Sequence, residues 1–194
     1  MRLTSIYIVF LLSSLLISVD YKTNNVLLRN VVSKSDLSLN SNEGKMYFNN
    51  IPFTGIGISY YPTGEIEEKI TYIKGVRSGS RTKWFIDGNK SFEAKYKENK
   101  LHGAVSSWWR NGNLRSQANF QSGKLNGVAM QWYESGVLFK KLTLVDGKEQ
   151  GLQQAWRENG KLYTNYEAKD GRIFGLKRAN LCFELEDEIV QINE

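Results

Sequence analysis

Apolar and polar residues alternate with a period of two between residues 53 and 177. Ile56, Ile58, Tyr60, Ile66, Ile70 and Tyr72 take even numbers, as do Val128, Met130, Trp132, Leu138, Leu142 and Leu144 further on. Glu67, Lys69, Arg81, Lys83, Arg115 and Gln117 take odd ones. Such alternation predicts half-buried antiparallel strands, with the even-numbered side chains forming one shared dry face.

The pattern recurs every 24 residues, giving five copies over residues 53–177. Gly55, Gly79, Gly103, Gly127 and Gly151 mark one track, and Gly64, Gly88, Gly112, Gly136 and Gly160 another. Gly75, Gly123, Gly147 and Gly171 keep the same spacing, with Asn99 in the one gap, and Asn is the residue best able to replace Gly at positive φ. Tyr60, Trp84, Trp108, Trp132 and Trp156 form a ring track. Each copy therefore reads as a hairpin. Its turn, Pro62-Thr63-Gly64 in the first copy, suits a three-residue loop: Pro62 has the fixed φ a type I turn needs and Gly64 takes the left-handed position. That loop pairs Tyr60 with Ile66 and Trp108 with Leu114.

A lone hairpin is marginal in water, but stacked hairpins share a core. The predicted fold is all-β: a single-layer antiparallel meander of tandem 24-residue hairpins with terminal caps. The repeat domain covers 45–177, with Met46, Phe48 and Ile51 as a partial leading copy and full copies starting near residues 55, 79, 103, 127 and 151. Residues 178–194 follow as an acidic C-terminal cap. Residues 20–44, rich in Asn and Ser, read as a polar linker with a short strand at 26–32. Residues 1–19 carry Arg2 and then the apolar run Ile6–Ile17, too short for a comfortable span, and read as a signal peptide or N-terminal anchor. The expected location is the cell envelope, periplasmic or membrane-anchored.

Charge adds a direction. Residues 53–177 hold 20 basic and 12 acidic side chains, whereas residues 178–194 hold one and five. A basic body can meet an anionic surface. With one cysteine (Cys182) and one histidine (His102), no internal disulfide and no Cys/His zinc site can form.

The Gly–aromatic spacing resembles MORN repeats. The segment Tyr47–Gly55 and the Trp–Gly–Leu cores Trp108–Leu114 and Trp132–Leu138 resemble the variant found in the YwqK family. The resemblance implies a repeat that contacts membranes, phospholipids or proteins, and, through the YwqK family, an antitoxin.

Little chemistry stands out beside the repeat. His102 matches Ser78, Asn126 and Gln150 and reads as a variable turn residue. The acidic cluster Glu184–Glu188 lacks the spacing of a calcium loop. The second ring of each pair, at Tyr61, Phe85, Trp109 and Tyr133, falls opposite the first; with Lys83, Arg110 and Arg115 these form the candidate interaction surface, or else stiffen the sheet. The expectation is a non-enzymatic exported scaffold binding a protein or an anionic membrane, with no cofactor, metal, nucleic acid or small-molecule substrate. The alternatives are an antitoxin neutralising a partner toxin and an envelope thiol or metal accessory acting through Cys182.

Overall fold

The structure, a computed structural model, describes residues 30–176. The proposed signal or anchor segment, Cys182 and the acidic cap lie outside the described residues.

The chain enters through β1 (Val31–Ser33), a 3-10 turn at Lys34–Asp36, β2 (Ser38–Asn40), β3 (Lys45–Phe48) and β4 (Ile51–Pro52). The first two copies follow as β5 (Gly55–Tyr60) with β6 (Ile66–Ile73), and β7 (Val76–Trp84) with β8 (Lys90–Lys97). The third copy is β9 (Lys100–Trp108) and β10 (Leu114–Gln121). The fourth is the short β11 (Lys124–Leu125), β12 (Gly127–Trp132) and β13 (Leu138–Val145). The fifth is β14 (Lys148–Glu149), β15 (Gly151–Trp156) and β16 (Leu162–Lys169), and β17 (Arg172–Leu176) ends the described chain.

Fourteen strands make one sheet, running β1-β5-β6-β7-β8-β9-β10-β12-β13-β15-β16-β17, with β11 beside β10 and β14 beside β13. From β5 onward it is an antiparallel meander of hairpins, as the repeat predicts. β1 alone runs parallel, alongside β5, and satisfies that otherwise open edge.

The hairpin turn is the one the sequence predicts. Gly64 N–H donates to the Tyr61 carbonyl (2.9 Å) and Tyr61 N–H to the Glu65 carbonyl (2.8 Å). Gly64 sits at φ +100°, and the same bonds recur around Gly88, Gly112, Gly136 and Gly160. The connections between copies are tighter. Lys74-Gly75, Glu98-Asn99, Ser122-Gly123, Asp146-Gly147 and Asp170-Gly171 all have positive φ at both residues, the signature of a type I′ turn.

The even-numbered face does not survive. Tyr60 pairs with Ile66 and Trp108 with Leu114, as expected, but the register slips one residue further along: Ser59 faces Glu68, and Ser107 faces Ser116. Glu67, Ser91, Arg115, Phe139 and Tyr163 are the extra residues, one bulge per copy. A bulge reverses side-chain parity on one strand relative to its partner. Ile70 and Tyr72 therefore lie across from Gly57 and Gly55, while Ile58 lies across from Lys69. One predicted stripe becomes two, on opposite faces. The tryptophans share a face with Leu114 and Leu138, and Ala118, Phe120, Leu142 and Leu144 lie on the other.

One cluster of buried apolar side chains lies at the N-terminal end, and Ala155, Tyr166 and Ala168 are buried separately in the fifth copy. Leu37, Phe53, Ile70 and Tyr72 form the N-terminal cluster, with Val32, Met46 and Phe48 packed against them. Phe53 makes a tilted ring contact with Tyr72 at 5.9 Å. The described part of the expected linker thus carries structure, because Leu37, nearly alone in a polar run, fills the space above Gly57. Nor do Met46, Phe48 and Ile51 extend the main sheet. They belong to a separate three-stranded sheet, β2-β3-β4, which meets the first inter-copy turn where Met46 N–H donates to the Gly75 carbonyl (2.8 Å). His102 and Gly103 sit within β9 rather than in a turn; Gly103, at φ +83°, pairs with Phe120.

Candidate binding surface

The second rings of the first four copies are half-buried, and the polar atoms of three of them point along the sheet rather than outward. The Tyr61 hydroxyl donates to the Trp84 main-chain carbonyl (2.8 Å), the Trp109 indole N–H to that of Trp132 (3.1 Å), and the Tyr133 hydroxyl to that of Trp156 (3.0 Å). Each ring therefore ties its copy to the next at the hairpin edge. Phe85 occupies the same place without a polar atom to offer. At the opposite edge the turn amides do similar work: Gly75, Asn99, Gly123 and Gly147 donate to the carbonyls of Phe53, Arg77, Leu101 and Leu125, at 2.7–2.9 Å.

The basic members of the expected surface separate. Arg115, a bulge residue, lays its guanidinium 4.7 Å from the Trp109 ring centre. Arg110 reaches back to Asp87 of the preceding turn (3.3 Å). Lys83 faces Glu68 instead, at 3.8 Å. The rings and cations selected from sequence thus form a seam between copies, with only Trp109 and Arg115 in direct contact.

Glu68 is a centre that sequence reasoning missed. It is 2% exposed, holds Arg81 through Nη2 at 2.7 Å, and also bonds Lys34 of the 3-10 turn. Burial pushes its carboxyl upward, but hydrogen bonds from Lys34 and Arg81 outweigh this and hold it below the ordinary value. No motif marks the cluster, because its cations come from elsewhere in the chain, Lys34 from the 3-10 turn and Arg81 from the second copy.

On the other face the first rings make a different feature. Tyr60, Trp84, Trp108, Trp132 and Trp156 pair with Ile66, Lys90, Leu114, Leu138 and Leu162 respectively. Tyr60 is 53% exposed and the four tryptophans are half-buried. Lys69 lies 5.8 Å over Trp84 and Lys90 5.5 Å over Trp108. Beside this band runs a polar row in unbroken register: Lys69, Thr82, Glu93, Ser106 and Gln117, continuing through Met130 to Lys141 and Gln154. Among the described residues no three His, Cys, Asp or Glu side chains come together as a metal site, and no helix is long and apolar enough to cross a membrane.

The fold and this surface define an open β-repeat sheet built from hairpins. The family described as MORN repeat variant matches residues 53–74 and 101–122, the hairpins of the first and third copies. Repeats of this kind are generally membrane- or protein-binding, and non-catalytic. A search of the curated proteins finds no match.

Proposed function

We propose that this chain is a non-enzymatic repeat scaffold exported to the cell envelope, and that the band from Tyr60 to Trp156 holds an extended partner there. One observation carries the proposal: five rings at one repeat position line a single face, with Tyr60 exposed and the four tryptophans partly exposed. Partly exposed aromatic rows rimmed by charge are the usual mark of an interaction surface. The second rings, by contrast, have their polar atoms engaged within the sheet. The short basic start and apolar run of residues 1–19 support export.

Oxidative footprinting in intact envelopes tests this. Trp84, Trp108 and Trp132 are expected to be protected in envelopes relative to the purified chain, while Trp109 changes little. Equal oxidation in both preparations would remove the band from consideration. Recovery of the chain in the cytosol bound to a toxin would favour the antitoxin alternative instead.

A further inference from the structure

We infer that the ligand of the tryptophan band is an extended anionic polysaccharide, lying along the sheet perpendicular to its strands. This rests on the band being a binding surface and names what it binds.

Spacing is the first ground. Equivalent rings lie two strands apart, which places successive tryptophans about 9.5 Å from one another. In between, Lys90, Leu114 and Leu138 keep the rings separate. A β-1,4-linked sugar chain turns its units alternately, so the same apolar sugar face returns once per disaccharide. A row of single, separated rings fits that periodic polymer. It suits a continuous apolar helix less well.

The adjoining row supplies the second ground. A sugar needs an apolar platform and hydrogen-bonding groups beside it, since each hydroxyl must replace its water partners. Thr82, Ser106 and Gln154 lie two residues before Trp84, Trp108 and Trp156 on the same face, and Gln117 stands across from Ser106 on the neighbouring strand. A purely lipid-facing surface would have no use for such a row.

Charge decides between neutral and anionic chains. The two rows hold Lys69, Lys90 and Lys141 against Glu93 alone, and Lys90 already pairs with Glu93 at 3.0 Å. The surplus is positive and sits beside the rings, where a sugar carboxylate would project. Twist weighs against a flat partner. Strands in an open sheet rotate by roughly 20–25° from one to the next, so rings two copies apart diverge by roughly 80–100°. Such rings cannot all lie flat on one bilayer plane, whereas a single flexible polymer can follow the turn.

The test is affinity electrophoresis of the full chain through gels containing mannuronate-rich alginate, a β-1,4-linked polymer with a carboxylate on every unit. Hydroxyethylcellulose, the neutral β-1,4 comparison, and pelleting with phosphatidylglycerol vesicles complete the set. Alginate is expected to retard the chain most strongly. Trp108→Leu and Trp132→Leu keep apolar volume but lose the ring face, and each should weaken retardation at least about tenfold, the loss expected of an aromatic hot spot. Trp108→Phe should retain it. Lys69→Gln with Lys141→Gln should weaken alginate binding and leave the weaker cellulose interaction in place. Should the leucine variants fail to fold, shielding of wild-type tryptophan fluorescence from acrylamide by saturating alginate gives the same answer. Unaltered mobility in every gel, or retardation by alginate that the Trp→Leu variants retain, would overturn the inference. Vesicle pelleting that depends on the same tryptophans, without polysaccharide binding, would overturn it in favour of lipid. Envelope protection of the tryptophans without alginate binding would leave the scaffold proposal standing and this inference refuted.

Discussion

In the first copy Tyr60 pairs with Ile66, Glu67 bulges, and Ile70 and Tyr72 are each 4% exposed. In the third copy Trp108 pairs with Leu114 and Arg115 bulges in the same way, yet Ala118 and Phe120, which stand where Ile70 and Tyr72 do, are only half-buried. The backbone plan is the same. What differs is the cover: the segment from Asn30 to Phe53 lies over the first copy, bringing Leu37 and Lys34 onto it. One repeat geometry thus serves two purposes. Under the N-terminal cap the face carrying the glycines is a core, in the third copy it is half-open, and in the fifth copy Gln153, Ala155, Tyr166 and Ala168 on the same face are buried again. Burial is thus densest in the first and fifth copies, while the third relies on its neighbours.

The sharpest way to break this comparison is to truncate the equivalent rings. Tyr72→Ala removes a ring from a closed core and is expected to cost about 3–5 kcal/mol. Phe120→Ala, at the matching but half-open site, should cost only about 1–2 kcal/mol. Urea unfolding of the two variants measures the difference. Equal losses would mean that the third copy is as well covered as the first.

Glu68 gives the next largest effect. In the third copy Ser116 stands in its place, so the ion cluster belongs to the capped copy alone. Glu68→Gln leaves Arg81, Lys34 and Lys83 short of a counter-charge on the covered face. Breaking such a cluster costs about 2–3 kcal/mol here, at the low end because the lysines keep some water. Because the folded carboxyl is held below its ordinary value, its contribution is complete above about pH 4.3 and is lost as pH falls toward the lowered folded value. Acid titration of stability should show this step in the wild type and a flatter course in Glu68→Gln. Identical acid profiles would deny Glu68 the role of fastening the cap.

Gly57 sharpens the same contrast at smaller scale. A Cβ there would meet Leu37 Cδ1 and the Tyr72 ring at 3.2 Å, and Lys34 Cγ at 3.3 Å. The third copy carries Val105 at this position without difficulty, because nothing comparable lies above it. Gly57→Val is expected to cost about 1–3 kcal/mol by overpacking. It should raise hydrogen exchange across residues 31–37 before it affects the later copies. A neutral substitution, with exchange unchanged, would show that Leu37 shifts without penalty.

Much of this architecture is legible in the sequence. The 24-residue glycine and ring tracks gave the hairpins, their order and their three-residue turn, since Pro62 and Gly64 leave few backbone choices. The bulge was not readable. Glu67, Ser91, Arg115, Phe139 and Tyr163 share no side-chain chemistry, because a bulge is a backbone register event and makes no common demand on the residue. Without it, Ile58 and Tyr60 fall on the face of Ile70 and Tyr72, whereas the two sets lie on opposite faces of the sheet. The cap was missed because one leucine in a polar run has no period to detect. The candidate cations Lys83, Arg110 and Arg115 were real neighbours of the seam, but their partners depend on which face each strand presents after the slip.

The seam itself offers the finest comparison, between copies whose second ring carries a donor and the one whose ring, Phe85, carries none. Tyr133 donates to the Trp156 carbonyl at 3.0 Å, as Tyr61 does to Trp84, whereas Phe85, at the equivalent position of the second copy, has no hydroxyl to donate. A half-exposed hydrogen bond of this kind contributes about 0.5–1.5 kcal/mol net. Tyr133→Phe should therefore lower stability by roughly that amount, and Phe85→Tyr should raise it by somewhat less, since the second copy has packed around the unsubstituted ring. Opposite signs from one chemical change at two equivalent positions are hard to obtain from any general effect of polarity. If both variants shift stability in the same direction, the rings act by packing alone and the carbonyls of Trp84, Trp132 and Trp156 are served as well by water.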